Sequence, residues 1–370
     1  MNPFRPQLDG LKKSLIRQIF DAAPPGAINL GLGMPDLPVP AAVADAVAKE
    51  AASRRAPYTP NAGLPALRGH IGAASGVNAE QVIVTAGVQE GLFCVLAALA
   101  GPGDEILVPD PGFPAYEMIA TVLGATVVRY DCGEAQAFRP TAAAIAAAVG
   151  ERTRAVVINS PGNPTGAVCV EVNAICEVLR AAGVPWVSDE IYDAFVWDGQ
   201  HKGFPADAGF VLSGLSKTAN LMGWRLGWVL CPQAWAPRLT TVHQTVATCA
   251  SRLAQVAGIA ALTGPPEDLE AGVEVFRGRR DAVAALLARG GVVHAPLDGA
   301  FYAFVEVGGD DVALAYRLLG QGVIAIPGSG FGPAGAGWLR IAYTTGQFQD
   351  GVEVILGELS RWGDQKSGIR

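Results

Sequence analysis

Seven short apolar runs, spaced along residues 82–231 with helix-patterned stretches between them, constrain this chain more than any other feature. They are VIVTA (82–86), EILVPD (105–110), TVVRY (126–130), AVVINS (155–160), WVSDE (186–190), FVLSG (210–214) and GWVLC (227–231). Most are apolar nearly throughout rather than alternating, which is how strands buried on both faces read. The stretches between them, such as 89–99 and 141–148, carry helical patterning. Strand–helix alternation of this kind predicts an α/β domain on a mostly parallel seven-stranded sheet, with function carried by loops at the carboxyl ends of the strands.

The flanking regions read differently. Residues 1–40 form an arm, with a charged amphipathic stretch at 14–22 followed by NLGLGMPDLPVP, which suits neither a helix nor a central strand. Beyond an Ala-rich helical region at 234–288, the pieces VVHAPLDGAFYAFVEV, VIAIPGSGFG and WLRIAYTT predict a smaller α+β domain. The expected division is an arm over 1–40 that joins the small domain, a large domain over 41–270 and a small domain over 271–370. At 370 residues, 50% hydrophobic and 16% charged, the chain can fold throughout around a sizeable core.

Charge and residue spacing narrow the partners. A net charge of -7 without a Lys/Arg cluster argues against nucleic acid and anionic membranes and leaves small-molecule chemistry. The six cysteines form no C-x-x-C pair and read as reduced core thiols, and the four histidines lie too far apart in sequence for a metal site, so no metal is expected. The first twenty residues lack a continuous apolar core and no stretch approaches the ~20 apolar residues that span a bilayer, so a cytoplasmic protein is expected.

The chemistry is concentrated in GLSKTANLMGWRLGW, where Lys217 and Arg225 stand eight residues apart among Leu215, Leu221, Met222, Trp224, Leu226 and Trp228. Such flanks are too apolar for a solvated helix face. A lysine among apolar groups and beside another cation has its ammonium destabilised, as a Schiff-base lysine requires, and a nearby arginine can grip a phosphate with two hydrogen bonds. Seven further motifs accompany this one in order: GLGMPD (31–36), YTPNAGLPALR (58–68), TAGVQEGL (85–92), DPGFPAY (110–116), SPGNPTG (160–166), DEIY (189–192) and WLRIAY (338–343). Together they resemble the class I/II aminotransferases, the fold-type I pyridoxal-phosphate family, and the resemblance covers nearly the whole chain.

Each motif also has a physical reading. TAGVQEGL sets Gly87 and a helix start directly after a strand, so backbone N–H groups near Val88 and Gln89 suit an anion. By resemblance that anion is the cofactor phosphate, with Ser216 and Arg225 completing the grip. The resemblance places Phe113 against the pyridine ring, Asp189 beneath its nitrogen, and Asn163 and Tyr192 on its phenolic oxygen. Glu190 would face the other side of its strand and be structural. Arg340, inside an apolar strand, demands an anion; an internal Asp or Glu could supply it, and the resemblance makes it the substrate α-carboxylate. Gly33 would let backbone approach the same carboxylate. Tyr58 resembles a tyrosine that reaches the partner subunit's phosphate, implying a homodimer with shared active sites.

The implied activity is amino-group transfer between an amino acid and a 2-oxo acid by a ping-pong mechanism, with Lys217 as Schiff base and general base. Other enzymes on this scaffold, a carbon-sulfur β-lyase, a cyclase or a synthase, would use the same site. A cofactor-sensing regulatory domain is the non-enzymatic alternative, and no helix-turn-helix accompanies it here. Gly214 stands three residues before Lys217 where many relatives have Ser, so one phosphate hydroxyl is either missing or replaced by that of Ser213. Where dicarboxylate-specific relatives carry an arginine for the substrate side chain, this chain has His243 and Gln244, with Arg252 nearby. Neutral or aromatic donors are therefore favoured, with Leu15, Ile16 and Met34 as candidates for the side-chain pocket.

Overall fold

All seven apolar runs form strands. In the computed structural model, which describes residues 3–367, the strands are β1 (Ile28–Asn29), β2 (Val82–Thr85), β3 (Glu105–Asp110), β4 (Thr126–Asp131), β5 (Thr153–Asn159), β6 (Trp186–Asp189), β7 (Phe210–Gly214), β8 (Gly227–Leu230), β9 (Tyr302–Glu306), β10 (Val323–Ile324), β11 (Ile326–Pro327) and β12 (Trp338–Ala342). The large sheet has the order β2-β8-β7-β6-β5-β3-β4. Strand β8 runs antiparallel to both neighbours, and the pairs from β7 to β4 are parallel.

Side-chain alternation divides the interior into two layers. Val82 and Val84 of β2, Val156 and Ile158 of β5 and Trp186 of β6 face one cluster, which includes Leu67, Ile145, Ile175 and Ala257 from covering helices. Ile83, Ala155, Val157 and Val187 face the other, with Leu92, Val95 and Ile119. Each large aliphatic side chain buried this way stabilises by roughly 1.5–3 kcal/mol, so the sheet needs cover on both faces.

A second core lies around the antiparallel sheet β11-β12-β9. The arm belongs to it: Ser14 caps the helix Leu15–Asp21 by accepting from the Arg17 N–H, that helix buries Ile16 and Ile19, and β1 pairs in parallel with β10. The 24-residue helix Pro266–Arg289 passes between the cores, its Leu269 packed on the large sheet's layer and Phe276, Val283 and Leu287 in the second. Among the described residues no helix is long and apolar enough to cross a membrane.

Candidate active site

The carboxyl ends of β2, β5 and β6 open into one cavity of about 280 Å³ that is closed from the other side by the arm and by β9 and β12. At its edge β2 gives way to the helix Val88–Leu99 through Gly87, whose φ of 88° is a left-handed conformation that favours glycine. A Cβ at Gly87 would collide with the Arg225 guanidinium, so the turn and the cation are in direct contact. The turn is held from behind: the Ala86 N–H donates to Glu90 Oε2 at 3.0 Å, while Cys94 and His243 contact Glu90 Oε1 at 2.8 and 2.9 Å. Ser216, Gln89 and Val88 line the cavity beside Arg225. First-turn N–H groups have no acceptor within their own helix, so this corner is an anion cup with a cation on its rim.

Lys217 stands at the centre. Its Nζ donates to the Gly33 carbonyl at 2.7 Å, and burial, reinforced by Arg340 and Arg225 and opposed by Asp189, lowers its pKa to about 8. Asp189 ends β6, level with Asn159 of β5. Its carboxylate accepts from the Tyr116 hydroxyl at 2.9 Å and from the Ile191 N–H at 3.3 Å. Burial raises its pKa to about 6 against those hydrogen bonds. A lysine whose pKa is drawn down towards neutral pH is the kind of group that can exchange a proton with a substrate there.

Arg340 is 2% exposed in mid-strand β12. It donates to Asn163 Oδ1 at 2.7 Å and to the Gly31 carbonyl, and its guanidinium carbon lies 4.7 Å from the ring centroids of both Tyr302 and Phe331. Among the described residues no carboxylate comes within ion-pair distance of it, and its Nε has no partner. The internal Asp or Glu that sequence allowed is absent from its surroundings. A buried cation offered only neutral oxygens and ring faces is set to take an anion from solution. The Tyr192 hydroxyl lies 2.8 Å from that of Tyr302.

The structure brings Gly33, Val88, Gln89, Phe113, Asn163, Asp189, Tyr192, Ser216, Lys217, Arg225 and Arg340 to this cavity, with Gly87 at its rim. Tyr58 is elsewhere, 85% exposed on the outer surface. Of the side-chain pocket candidates, Ile16 and Met34 line the cavity and Leu15 does not. Ser213 does not replace the missing hydroxyl: successive strand residues face opposite sides, and its Oγ donates away from the cup to Asp193 at 3.1 Å. Arg252 is engaged with Glu50 at 2.5 Å, outside the cavity. Glu190 binds Ser188, His201 and the Phe204 N–H behind the sheet end. Fold brings His243, distant in sequence, to Glu90 and Cys94 one helical turn apart, with the potential ligand atoms of the three within 4.8 Å of one another. Both Glu90 oxygens are already occupied by hydrogen-bond donors.

Sequence reasoning missed Tyr116, Tyr302 and Asn159. Tyr116 lies three residues past Phe113 as a helix begins, and Tyr302 sits in an apolar run where a buried hydroxyl needs a partner. Both signals were present in the sequence.

These residues fit pyridoxal phosphate on chemical grounds. The cup suits a phosphate dianion, Phe113 offers a flat face, Asp189 a buried carboxylate for a ring nitrogen, and Lys217 an amine whose pKa is drawn down to about 8. The family described as aminotransferase class I and II matches residues 25–355. The chain is 34% identical to an arginine–pyruvate transaminase of Pseudomonas aeruginosa, over 86% of this chain and 85% of that one. It is 32% identical to an aspartate aminotransferase of Pyrococcus horikoshii, over 90% and 91%. The crystal structure of an aminotransferase from Mycobacterium tuberculosis superposes with a TM-score of 0.91 at 28% identity, covering 98% of this chain and all of that one. The chain belongs to the class I and II aminotransferases, and is a pyridoxal-phosphate-dependent enzyme that moves amino groups between amino acids and 2-oxo acids.

Proposed function

We propose that Lys217 holds the cofactor through Nζ and that, once the substrate amine has taken its place, the same nitrogen removes the Cα proton. The observation that carries this reading is a buried lysine, its pKa lowered to about 8, in a cavity it shares with the Arg340 guanidinium, which has no carboxylate partner among the described residues. When bound, pyridoxal phosphate supplies a carbonyl carbon for amines to condense with and a protonated ring that accepts the electron pair left at Cα. Arg340 fixes the substrate carboxylate and thereby aims the Cα–H bond at Lys217. Asp189, steadied by Tyr116, sits beneath the ring nitrogen and keeps it protonated, while Asn163 and Tyr192 address the phenolic oxygen. Ser216, Arg225 and the Gly87–Gln89 turn hold the phosphate.

The donor we propose is a neutral amino acid with an apolar or aromatic side chain. Ile16, Leu32 and Met34 form the arm's contribution to the cavity, and its three cations already have roles. A second substrate carboxylate would need a further cation, whereas His243 and Arg252 are bound to Glu90 and Glu50. The relatives named above act on arginine or aspartate by name, so family membership alone does not choose a donor.

We also propose a cytoplasmic homodimer in which Tyr58 completes the partner's phosphate cup, with an arm over 1–40, a large domain over 41–270 and a small domain over 271–370. The side chain of Tyr58, 85% exposed, is free to reach a neighbouring copy.

The test is the absorbance spectrum of purified protein with pyridoxal phosphate, before and after single amino acids are added without an oxo acid, with Lys217→Ala as control. Wild type should convert stoichiometrically to the amine form of the cofactor and release one equivalent of oxo acid, fastest with apolar donors. An unchanged lysine-linked band in Lys217→Ala would sink the assignment of that residue.

A further inference from the structure

The Tyr192–Tyr302 hydroxyl pair is a buried polar contact in the cavity that the reading above leaves without a task. We propose that Tyr302 is a positioning residue: its hydroxyl donates to that of Tyr192 and so commits the single proton of Tyr192 to the phenolic oxygen of the cofactor. This rests on the role given to Tyr192 above.

Each phenol has one hydrogen and two lone pairs, so a pair at 2.8 Å can be oriented either way. Three features of the structure favour Tyr302 as donor. Among the described residues its hydroxyl has no hydrogen-bond partner other than Tyr192. The arm closes over it: a Cβ at Gly33 would land on the Tyr302 oxygen, so backbone occupies the space where a competing water would sit. The Arg340 guanidinium lies over the Tyr302 ring at 4.7 Å, and a cation there makes that phenol the more acidic of the two. Burial raises both phenols above their ordinary range, but Arg340 is the main opposing influence at Tyr302 and only a minor one at Tyr192.

The charged and titratable groups facing the pair are Arg340 from β12, Asp189 from β6, Tyr116 from the helix Ala115–Leu123 and Tyr343 just past β12, with Lys217 tied to the adjoining Gly33 carbonyl. Gly33 thus has a second duty in this geometry. It receives Lys217 through its carbonyl and, having no side chain, admits the Tyr302 hydroxyl to Tyr192.

Chains of hydrogen bonds strengthen one another, so a Tyr192 that receives a proton from Tyr302 is the better donor to a phenolate. Tyr302→Phe removes only the hydroxyl and leaves the ring against Arg340. The readout is the pH midpoint of the absorbance change in pyridoxal-phosphate-loaded protein. Hydrogen bonding to the phenolate favours the deprotonated form, so loss of the donor should move the midpoint up by about half a pH unit. Tyr192→Phe should move it further in the same direction, and Tyr192→Phe/Tyr302→Phe should match Tyr192→Phe alone, because Tyr302 acts through Tyr192.

A wild-type midpoint in Tyr302→Phe overturns the proposal. So does a double variant in which the two shifts simply add, since Tyr302 would then act on its own. If wild type shows a pH-dependent band but Tyr192→Phe does not alter its midpoint, the role of Tyr192 fails first, and the proposal falls with it.

Discussion

Asp189 is held in a place where its charge is costly. Its folded-state pKa of about 6 lies above the ordinary carboxylate value of 3.8 because burial outweighs the hydrogen bonds from Tyr116 and Ile191. Below about pH 4 both folded and unfolded chains carry the proton; as pH rises through 6 the folded chain must release one that it binds more tightly, and stability falls. Cofactor-free Asp189→Asn should therefore exceed wild type in urea unfolding at pH 7.5 by about 2–3 kcal/mol, with the gap closing as pH is lowered from 6 towards 4. Added pyridoxal phosphate should reverse the order, since only the carboxylate can pair with a protonated ring. A gap independent of pH would mean that Asp189 is not the group being relieved. At Arg340, replacement by Gln should raise KM for amino acid and oxo acid alike by on the order of 10², the loss of a two-point charged hydrogen bond, while cofactor affinity stays unchanged. An equal fall in cofactor binding would instead place Arg340 in the cup. Residues of this kind were legible in the sequence because a charge inside an apolar run demands an explanation, as Lys217, Asp189 and Arg340 all do. Tyr116 and Tyr302 were overlooked, since an aromatic residue in such a run already satisfies the hydrophobic pattern and only the need of a buried hydroxyl for a partner marks it out. Between a missing hydroxyl and its replacement by Ser213, strand alternation favours the first, because Ser213, beside Gly214, faces the other way.

At the scale of elements, the turn from β2 into the helix Val88–Leu99 joins local backbone geometry to function. Gly87→Ala would force an L side chain to φ near 88° and drive its Cβ into Arg225. A positive φ with an extended ψ of 162° is a conformation nearly confined to glycine and alone costs a side chain roughly 1–3 kcal/mol, and displacement of Arg225 opens the rim of the cup. We expect affinity for pyridoxal phosphate, followed by fluorescence quenching, to fall tenfold or more, with only a modest loss in the melting temperature of the cofactor-free protein. Undiminished affinity would argue that phosphate is held elsewhere. The seven strands of the large sheet could be read directly because burial on both faces leaves each as an apolar run. Their directions could not: GWVLC has the same composition whichever way it points, and only the fold shows β8 running antiparallel between β2 and β7. The strands β1, β10 and β11 are two residues each, too short for any period to register.

The whole molecule is where the sequence said least, because an interface between copies leaves no pattern along one chain. Tyr58 is the test. If it serves the neighbouring cup, then mixing two inactive proteins, Lys217→Ala and Tyr58→Ala, and allowing subunits to exchange should restore activity, since each hybrid contains one site built entirely from intact residues. No recovery after verified exchange would confine each site to a single chain. The parallel contact of β1 with β10 bears on something else. It joins Ile28 to Val323, so the strand that leads to Gly33 has no pairing partner until about 300 further residues have been made. At ribosomal speeds of 5–20 residues per second that is roughly 15–60 s, during which the nascent large sheet presents an open cleft to its surroundings. The enzyme is thus born with its door unhung, and a newly made chain cannot start work before its last quarter has left the ribosome.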